Sequence, residues 1–210
     1  MVWSSWGALA LLGAFHGINP GMGWLFAVAL GMQENRAAAV WRALLPLGLG
    51  HACAVALTIV VATAAGAMVP ADALRWPIAA ALVALGLRRL WRHRHPRFGS
   101  MRIGLGALTV WSFLVATAHG AGLMVLPIWL NVPAAPGAHS AHIAGGADIT
   151  AGLTAAAVHS ISYLLVTTLI AWIVFAKLGV ALLRTTWLNL DAIWAIALIV
   201  TGGLTLVWAG

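Results

Sequence analysis

A chain of 210 residues that is 63% hydrophobic and 7% charged has too little polar surface to coat a soluble globule, so an integral membrane protein is expected. Its net charge of +7 would suit a nucleic-acid partner, but the cations gather at the ends of apolar segments, which points to a bilayer instead. The single cysteine, Cys53, excludes an intrachain disulfide and a two-thiol relay within this chain, and leaves one soft ligand.

A helix needs about 20 apolar residues to cross a hydrocarbon core. Six such stretches are expected, over 3–32, 38–66, 72–91, 103–131, 148–176 and 184–208, giving an all-α, polytopic membrane protein. The first has neither a basic leader nor a small-residue cleavage site, so it reads as a retained span and not a signal peptide. Within it His16-Gly17 is followed by Asn19-Pro20-Gly21, where proline removes a backbone donor and glycine weakens the turn. A break is expected there, and in lipid a break persists only where protein or a cavity satisfies the freed carbonyls.

The second span carries His51 and, two residues on, Cys53. The third ends in a basic connection with Arg88, Arg89, Arg92, Arg94, Arg97 and Arg102. Placing that connection, 88–102, in the cytoplasm puts Arg36, Arg42, Lys177 and Arg184 inside as well and both termini outside, in the inner (plasma) membrane. Trp3, Trp6, Trp76, Trp129 and Trp208 then fall near outer ends of spans and Trp41, Trp91 and Trp187 near inner ones, as interfacial indoles would. The fourth span repeats the first, with His119-Gly120, then Gly122, Met124 and Pro127. The outer connection 132–147 holds His139 and His142 beside Asp148, which reads either as a weak outer metal-capture pair or as a solvated loop. The fifth span carries His159, Ser160, Ser162 and Tyr163. The sixth carries the one convincing intramembrane acid, Asp191, either a proton-coupling or tautomer-fixing group or a helix-start cap.

Residues 1–91 and 103–210 thus form two three-helix halves joined by the basic connection 92–102. His51 follows His16 by 35 residues and His159 follows His119 by 40, which looks like one motif duplicated. Three spans per half force the second copy to enter from the opposite side, so the expectation is a 3+3 inverted-topology repeat. All four histidines come near mid-depth. Gly13, Gly17 and Gly21 in span 1, and Ser112, Ala116 and Gly120 in span 4, make small-residue faces, from which spans 1 and 4 are expected to cross near their histidines. Gly120, Gly122 and Pro127 would interrupt span 4 as Asn19, Pro20 and Gly21 interrupt span 1, and paired interruptions mark a midplane site.

Neutral imidazole is a ligand for zinc, copper, nickel and iron, so His16, His51, His119 and His159 are the candidate metal ligands. The bland alternative is that each bonds a neighbouring helix as packing glue. Met22, Met124 and Cys53 are further candidate ligands that suit copper(I), although methionine is also common core filler and Cys53 lies about 200° from His51 on a regular helix. Tyr163 and the hydroxyls of Ser160 and Ser162 would orient an imidazole from behind.

The run Gly13-Ala14-Phe15-His16-Gly17-Ile18-Asn19-Pro20-Gly21-Met22-Gly23 resembles the first-helix motif of the nickel/cobalt exporters in the LysE transporter superfamily. There a histidine is followed by Pro-Gly and a second histidine, at whose place this chain has Met22. Leu47-Gly48-Leu49-Gly50-His51 is similar to that family's second-helix motif. The resemblance implies a six-span transporter of a transition-metal ion such as nickel or cobalt, and efflux as its direction.

The leading expectation is therefore a secondary transporter, and not an enzyme, for a transition-metal ion (nickel, cobalt, copper or zinc) working by alternating access. The expected partners are the bilayer and the cargo ion, with a homo-oligomer left open and no nucleic acid. Two other readings stay open: a b-type haem protein passing electrons through bis-imidazole pairs, and a transporter of a small organic solute that uses the histidines as donors or proton carriers. A metal-dependent enzyme would lack a general base beyond Asp191, and no P-loop supports ATP-driven transport within this chain.

Overall fold

The computed structural model describes residues 2–66, 71–91, 104–130, 149–178 and 190–207. Every element among them is helical: α1 (Val2–Ile18), a 3₁₀ turn (Pro20–Met22), α2 (Trp24–Glu34), α3 (Ala37–Gly66), α4 (Ala71–Trp91), α5 (Leu105–Ala118), α6 (Ala121–Leu130), α7 (Ile149–Ile173) with a π-helical continuation (Val174–Leu178), and α8 (Leu190–Val207). Among the described residues, two helices, Ala37–Gly66 and Ile149–Lys177, are long and apolar enough to cross a membrane, and a third span results if the bent pair α5 and α6 is taken as one.

Side-chain placement is that of a protein built for lipid, with apolar groups outside and polar groups within. Leu11, Leu45, Val61, Val110, Leu165 and Val200 are exposed. Buried polar side chains include His16, Asn19, His51, Ser112, His159, Ser160 and Thr167. In water that distribution would be unfavourable in both respects, whereas in hydrocarbon the exposed leucines cost nothing and interior polar groups mark function.

Both expected interruptions are present. The first apolar segment breaks after Ile18, where Asn19 caps the 3₁₀ turn and Gly23, at φ 153°, restarts the helix. Span 4 breaks at His119–Gly120, where Gly120 takes φ 73°, a conformation open to glycine at little cost, and the two halves meet at 57°. Gly122 and Pro127 lie inside α6 and do not form the break. The turn from α2 into α3 is closed by Asn35 in the left-handed region (φ 51°), whose N–H donates to the carbonyls of Gly31 and Met32.

Helix α1 packs chiefly on α7, α3 on α5 and on α7, and α4 on α8, while α6 touches α1, α3 and α7. This corrects the expectation that the small-residue faces of spans 1 and 4 cross each other. Gly13 and Gly17 face α7, Ser112 faces α3, and α1 meets the fourth segment through α6. Trp129, expected at an interface, is buried because Gly152 leaves a notch for its ring, at 2.9 Å from where a Cβ would stand. Trp41, Trp76 and Trp91 are exposed.

Candidate functional site

On α7 the residues His159, Tyr163 and Thr167 stand four apart, so they line one face, and all three are fully buried. Ile161, Leu165 and Leu169 take the opposite face and are exposed. The buried face of α7 meets His51 from the middle of α3 and His16 from the last turn of α1. The three rings form a triangle with centroids 4.8 Å apart for His16 and His159, 5.7 Å for His16 and His51, and 5.4 Å for His51 and His159. None of the three reaches the surface.

Missing side chains are what allow this approach. A Cβ on Gly13 would lie 2.1 Å from the His159 carbonyl oxygen, and one on Gly17 would lie 2.6 Å from that of Tyr163. Between α3 and α5, a Cβ on Gly50 would lie 2.2 Å from the Thr109 carbonyl oxygen. Both approaches set backbone against backbone, which only small residues permit.

The nitrogens of the rings are differently engaged. Nδ1 of His16 lies 2.8 Å from the carbonyl oxygen of Leu12, and Nδ1 of His119 lies 2.8 Å from that of Val115. A carbonyl only accepts, so in both residues the hydrogen is assigned to Nδ1 and a lone pair to Nε2. Among the described residues, both ring nitrogens of His51 lack hydrogen-bond partners, and those of His159 lack partners of good geometry, with the Leu9 carbonyl alongside as a weak one. A buried polar atom in this condition calls for a partner, whether water, an ion or another ligand. Tyr163 stacks on His51 with centroids 3.8 Å apart and planes 13° from parallel, so it orients that imidazole as a plate and not through its hydroxyl.

That hydroxyl instead serves the break. Tyr163 Oη donates to the Met22 carbonyl oxygen at 2.6 Å, Trp24 Nε1 donates to that of Ile18 at 2.9 Å, and Thr167 Oγ1 reaches that of Gly17 at 3.5 Å. Asn19 N–H donates to the His16 carbonyl, and Gly21 N–H to Asn19 Oδ1. The interruption beside His16 is therefore satisfied largely by side chains, as an apolar surround demands.

The other expected site residues divide into several groups. His119 is partly exposed at the end of α5, within electrostatic range of His16 and His51. Met22 and Met124 are buried in the same apolar cluster as Tyr163. Cys53 is exposed while His51 is buried, so it turns away from the triangle. A Cβ on Gly122 would meet Thr58 Oγ1 at 2.2 Å, which marks Gly122 as a packing residue. Ser160 is buried, and its hydroxyl has no hydrogen-bond partner among the described residues. Asp191 stands in the first turn of α8, its side chain outside the described part, and His139, His142 and the basic run 92–102 also lie outside the described residues. Among the described residues, no three His, Cys, Asp or Glu side chains stand as a ready-made set of metal ligands.

Sequence reasoning missed the roles of Thr167, Trp24 and Ser112, the last of which donates from Oγ to the Leu47 carbonyl oxygen at 2.6 Å. The four-residue spacing of His159, Tyr163 and Thr167 was the available signal for the first of these. No protein-family model, no curated protein and no solved structure matches this chain, so the reading of the site rests on its own residues.

Proposed function

We propose that the chain is a secondary transporter, acting as an exporter, that carries a transition-metal ion through a site made by His16, His51 and His159, with His119 beside it. The triangle of buried imidazoles carries this reading. A metal–nitrogen bond of about 2.0–2.1 Å, continued to the ring centre, puts each centroid about 3.2 Å from the ion. Two ligands at a tetrahedral angle then have centroids about 5.2 Å apart. The observed 4.8–5.7 Å brackets that value. His51 and His159 lie 15° from parallel, so loading turns these rings about their Cβ–Cγ bonds until the nitrogens converge.

The packing pattern supports six spans in a 3+3 inverted repeat. Exchanging span 1 with 4, 2 with 5 and 3 with 6 turns the α1–α7 pair into the α5–α3 pair and maps the α3–α7 and α4–α8 pairs onto themselves. The matching Nδ1 bonds of His16 and His119 to the carbonyl four residues back obey the same exchange. Together with the motifs around His16 and His51, this favours the LysE superfamily, with both termini outside and the basic connection cytoplasmic. Backbone contact at Gly13 and Gly17 leaves no slot at the triangle for a haem macrocycle, so an ion-sized cargo is favoured over haem.

The test is elemental analysis of gently purified, chelator-free protein beside its His16→Ala, His51→Ala and His159→Ala variants, with metal flux measured in proteoliposomes. Bound metal that disappears in each variant, and flux that disappears with it, is the expected result. Metal-free protein with no flux of copper, nickel, cobalt or zinc would sink the proposal and leave the organic-solute reading.

A further inference from the structure

We infer that His119 takes the place of His16 beside His51 and His159 when the site opens to the other face of the membrane, so that the histidines of the two broken segments alternate at one site. The inference rests on the transport reading above, with its inverted repeat, and is independent of which cargo is carried.

The packing of α4 on α8 supplies the symmetry. A Cβ on Gly86 would stand 2.8 Å from the Ala195 carbonyl oxygen and 2.6 Å from Cγ1 of Ile199. A Cβ on Gly202 would stand 3.1 Å from the Ala79 carbonyl oxygen and 2.9 Å from Cγ2 of Val83. Ala195, Leu198, Ile199 and Gly202 follow Ala79, Leu82, Val83 and Gly86 by 116 residues each. One pattern therefore meets its own copy, with each glycine against the alanine of the other helix. Such reciprocal contact is what a two-fold axis between the helices produces. The two helices run antiparallel, since Gly86 is level with Ala195 and Gly202 with Ala79, so the axis crosses them, as the axis of an inverted repeat does.

The histidines obey this symmetry only in part. His51 and His159 are each other's equivalents, with ring centroids 5.4 Å apart. His16 and His119 are the second equivalent pair, with matching Nδ1 contacts to the carbonyl four residues back. Yet His16 is buried at 4.8 Å from His159, whereas His119 is partly exposed. Exchanging the halves gives a second arrangement made of equivalent contacts, with His119 against His51 and His16 turned out toward the opposite face. Both turned out together would open the site to both faces at once, which alternating access forbids. Two states related in this way differ in free energy only where the halves differ in sequence. One such difference lies at the ties of the first break, Tyr163 and Thr167. Their counterparts 108 positions earlier are Val55 and Ile59, whose side chains cannot donate, so the ties favour the state with His16 inside.

The test uses His16→Cys, His119→Cys and the double variant in a Cys53→Ser background, in proteoliposomes of one orientation. A membrane-impermeant trimethylammonium methanethiosulfonate is added to either face and mass spectrometry counts the labels, with circular dichroism to verify folding. In the unsubstituted chain, diethylpyrocarbonate acylation of accessible imidazoles gives the same comparison without a mutation. The expected result is labelling of position 119 from one face, slower labelling of position 16 from the opposite face, and a single label on each folded double variant. Adding Tyr163→Phe should speed labelling at position 16 about threefold, the population shift that loss of one interhelical hydrogen bond gives; an unchanged rate would overturn the part assigned to the ties. Position 16 inert to both reagents in protein that carries copper, nickel, cobalt or zinc would overturn the inference and leave the transport reading standing. Labelling of both positions from one face, or two labels on a folded chain, would overturn it as well. Alternating labels without flux of any of these ions would sink metal transport and leave the alternation, and neither labelling at position 16 nor flux would overturn both.

Discussion

The two broken segments begin alike and are completed differently. In each, the histidine of the last turn sends Nδ1 2.8 Å to the carbonyl four residues back, which fixes the ring against its own helix and turns Nε2 outward. Beyond that point the first break is tied by side chains from elsewhere: Tyr163 and Thr167 come from α7 and Trp24 from the following helix. At the second, the described bonds run within its own span, with Gly120 N–H donating to the Thr117 carbonyl and a left-handed glycine making the 57° bend. His16 is sealed into the triangle, while His119 keeps partial exposure. A break tied over long range moves only if α7 moves, whereas one tied locally can hinge by itself. On the proposed mechanism, span 4 is the moving element in this conformation and span 1 is the locked one.

The comparison breaks most severely if the close approaches are blocked. Gly13→Ala would put a methyl 2.1 Å from the His159 carbonyl oxygen, and Gly50→Ala would put one 2.2 Å from that of Thr109. Neither obstacle is a flexible side-chain end, so helices must separate, at a cost of about 1–3 kcal/mol or more. Both variants should lose thermal stability in detergent by similar amounts, while Gly7→Ala, where a Cβ meets nothing within 4 Å, should be neutral. Clear stability of Gly13→Ala beside a damaged Gly50→Ala would show that the α1–α7 and α3–α5 contacts are not equivalent.

The histidines themselves supply the next largest effect. His16→Ala should abolish stoichiometric metal binding, since it removes one corner of the triangle. His119→Ala should leave equilibrium affinity within a few-fold and slow flux instead, because His119 stands at the hinge. Affinity and initial flux measured on the same proteoliposomes separate the two. Equal loss of affinity in both variants would merge His119 into the site and abolish the distinction between the breaks.

Tyr163→Phe keeps the plate stacked on His51 and deletes the hydroxyl that serves the Met22 carbonyl. A buried carbonyl left without that donor costs about 1–3 kcal/mol. Hydrogen exchange should accelerate at the amides of Met22 through Phe26 and stay unchanged around Gly120. Faster exchange at both breaks would mean that Tyr163 supports the whole bundle and not the first break in particular.

Much of this was legible in the sequence, for definite reasons. Hydrophobic length located the helices, and Asn19-Pro20-Gly21 and His119-Gly120 located the breaks, because proline and glycine act on the backbone locally. Recurrence at similar depth predicts that all four histidines meet, and His16, His51 and His159 do, whereas His119 forms no ring contact with them among the described residues. Partner choice was not legible. A stripe such as Gly13 and Gly17 announces that another backbone comes close without saying whose, and only packing assigns it to α7. Trp129 has the composition of an interfacial residue, and its burial depends on a notch at Gly152 that lies 23 positions away. The stacking of Tyr163 on His51 joins residues 112 positions apart, and neither segment carries a local sign of the other.

The smallest effect tests the finest part of the comparison. Thr167 reaches the Gly17 carbonyl at 3.5 Å, across from α7 to α1, whereas Thr117 Oγ1 donates at 2.8 Å to the Phe113 carbonyl of its own helix. The shorter bond is the better one geometrically, so distance alone would rank Thr117 above Thr167. Context reverses that order. The Phe113 carbonyl also belongs to a regular helical turn and Thr117 is exposed, so Thr117→Val removes a redundant partner and should be neutral. The Gly17 carbonyl sits where the helix stops, and Thr167→Val should cost about 0.6 kcal/mol, the average for an interhelical hydrogen bond in a membrane protein. Unfolding of the two variants in mixed micelles would resolve this difference. A larger loss for Thr117→Val would mean that the second break leans on its own hydroxyl more than the first leans on α7, and the assignment of locked and mobile segments would have to be exchanged.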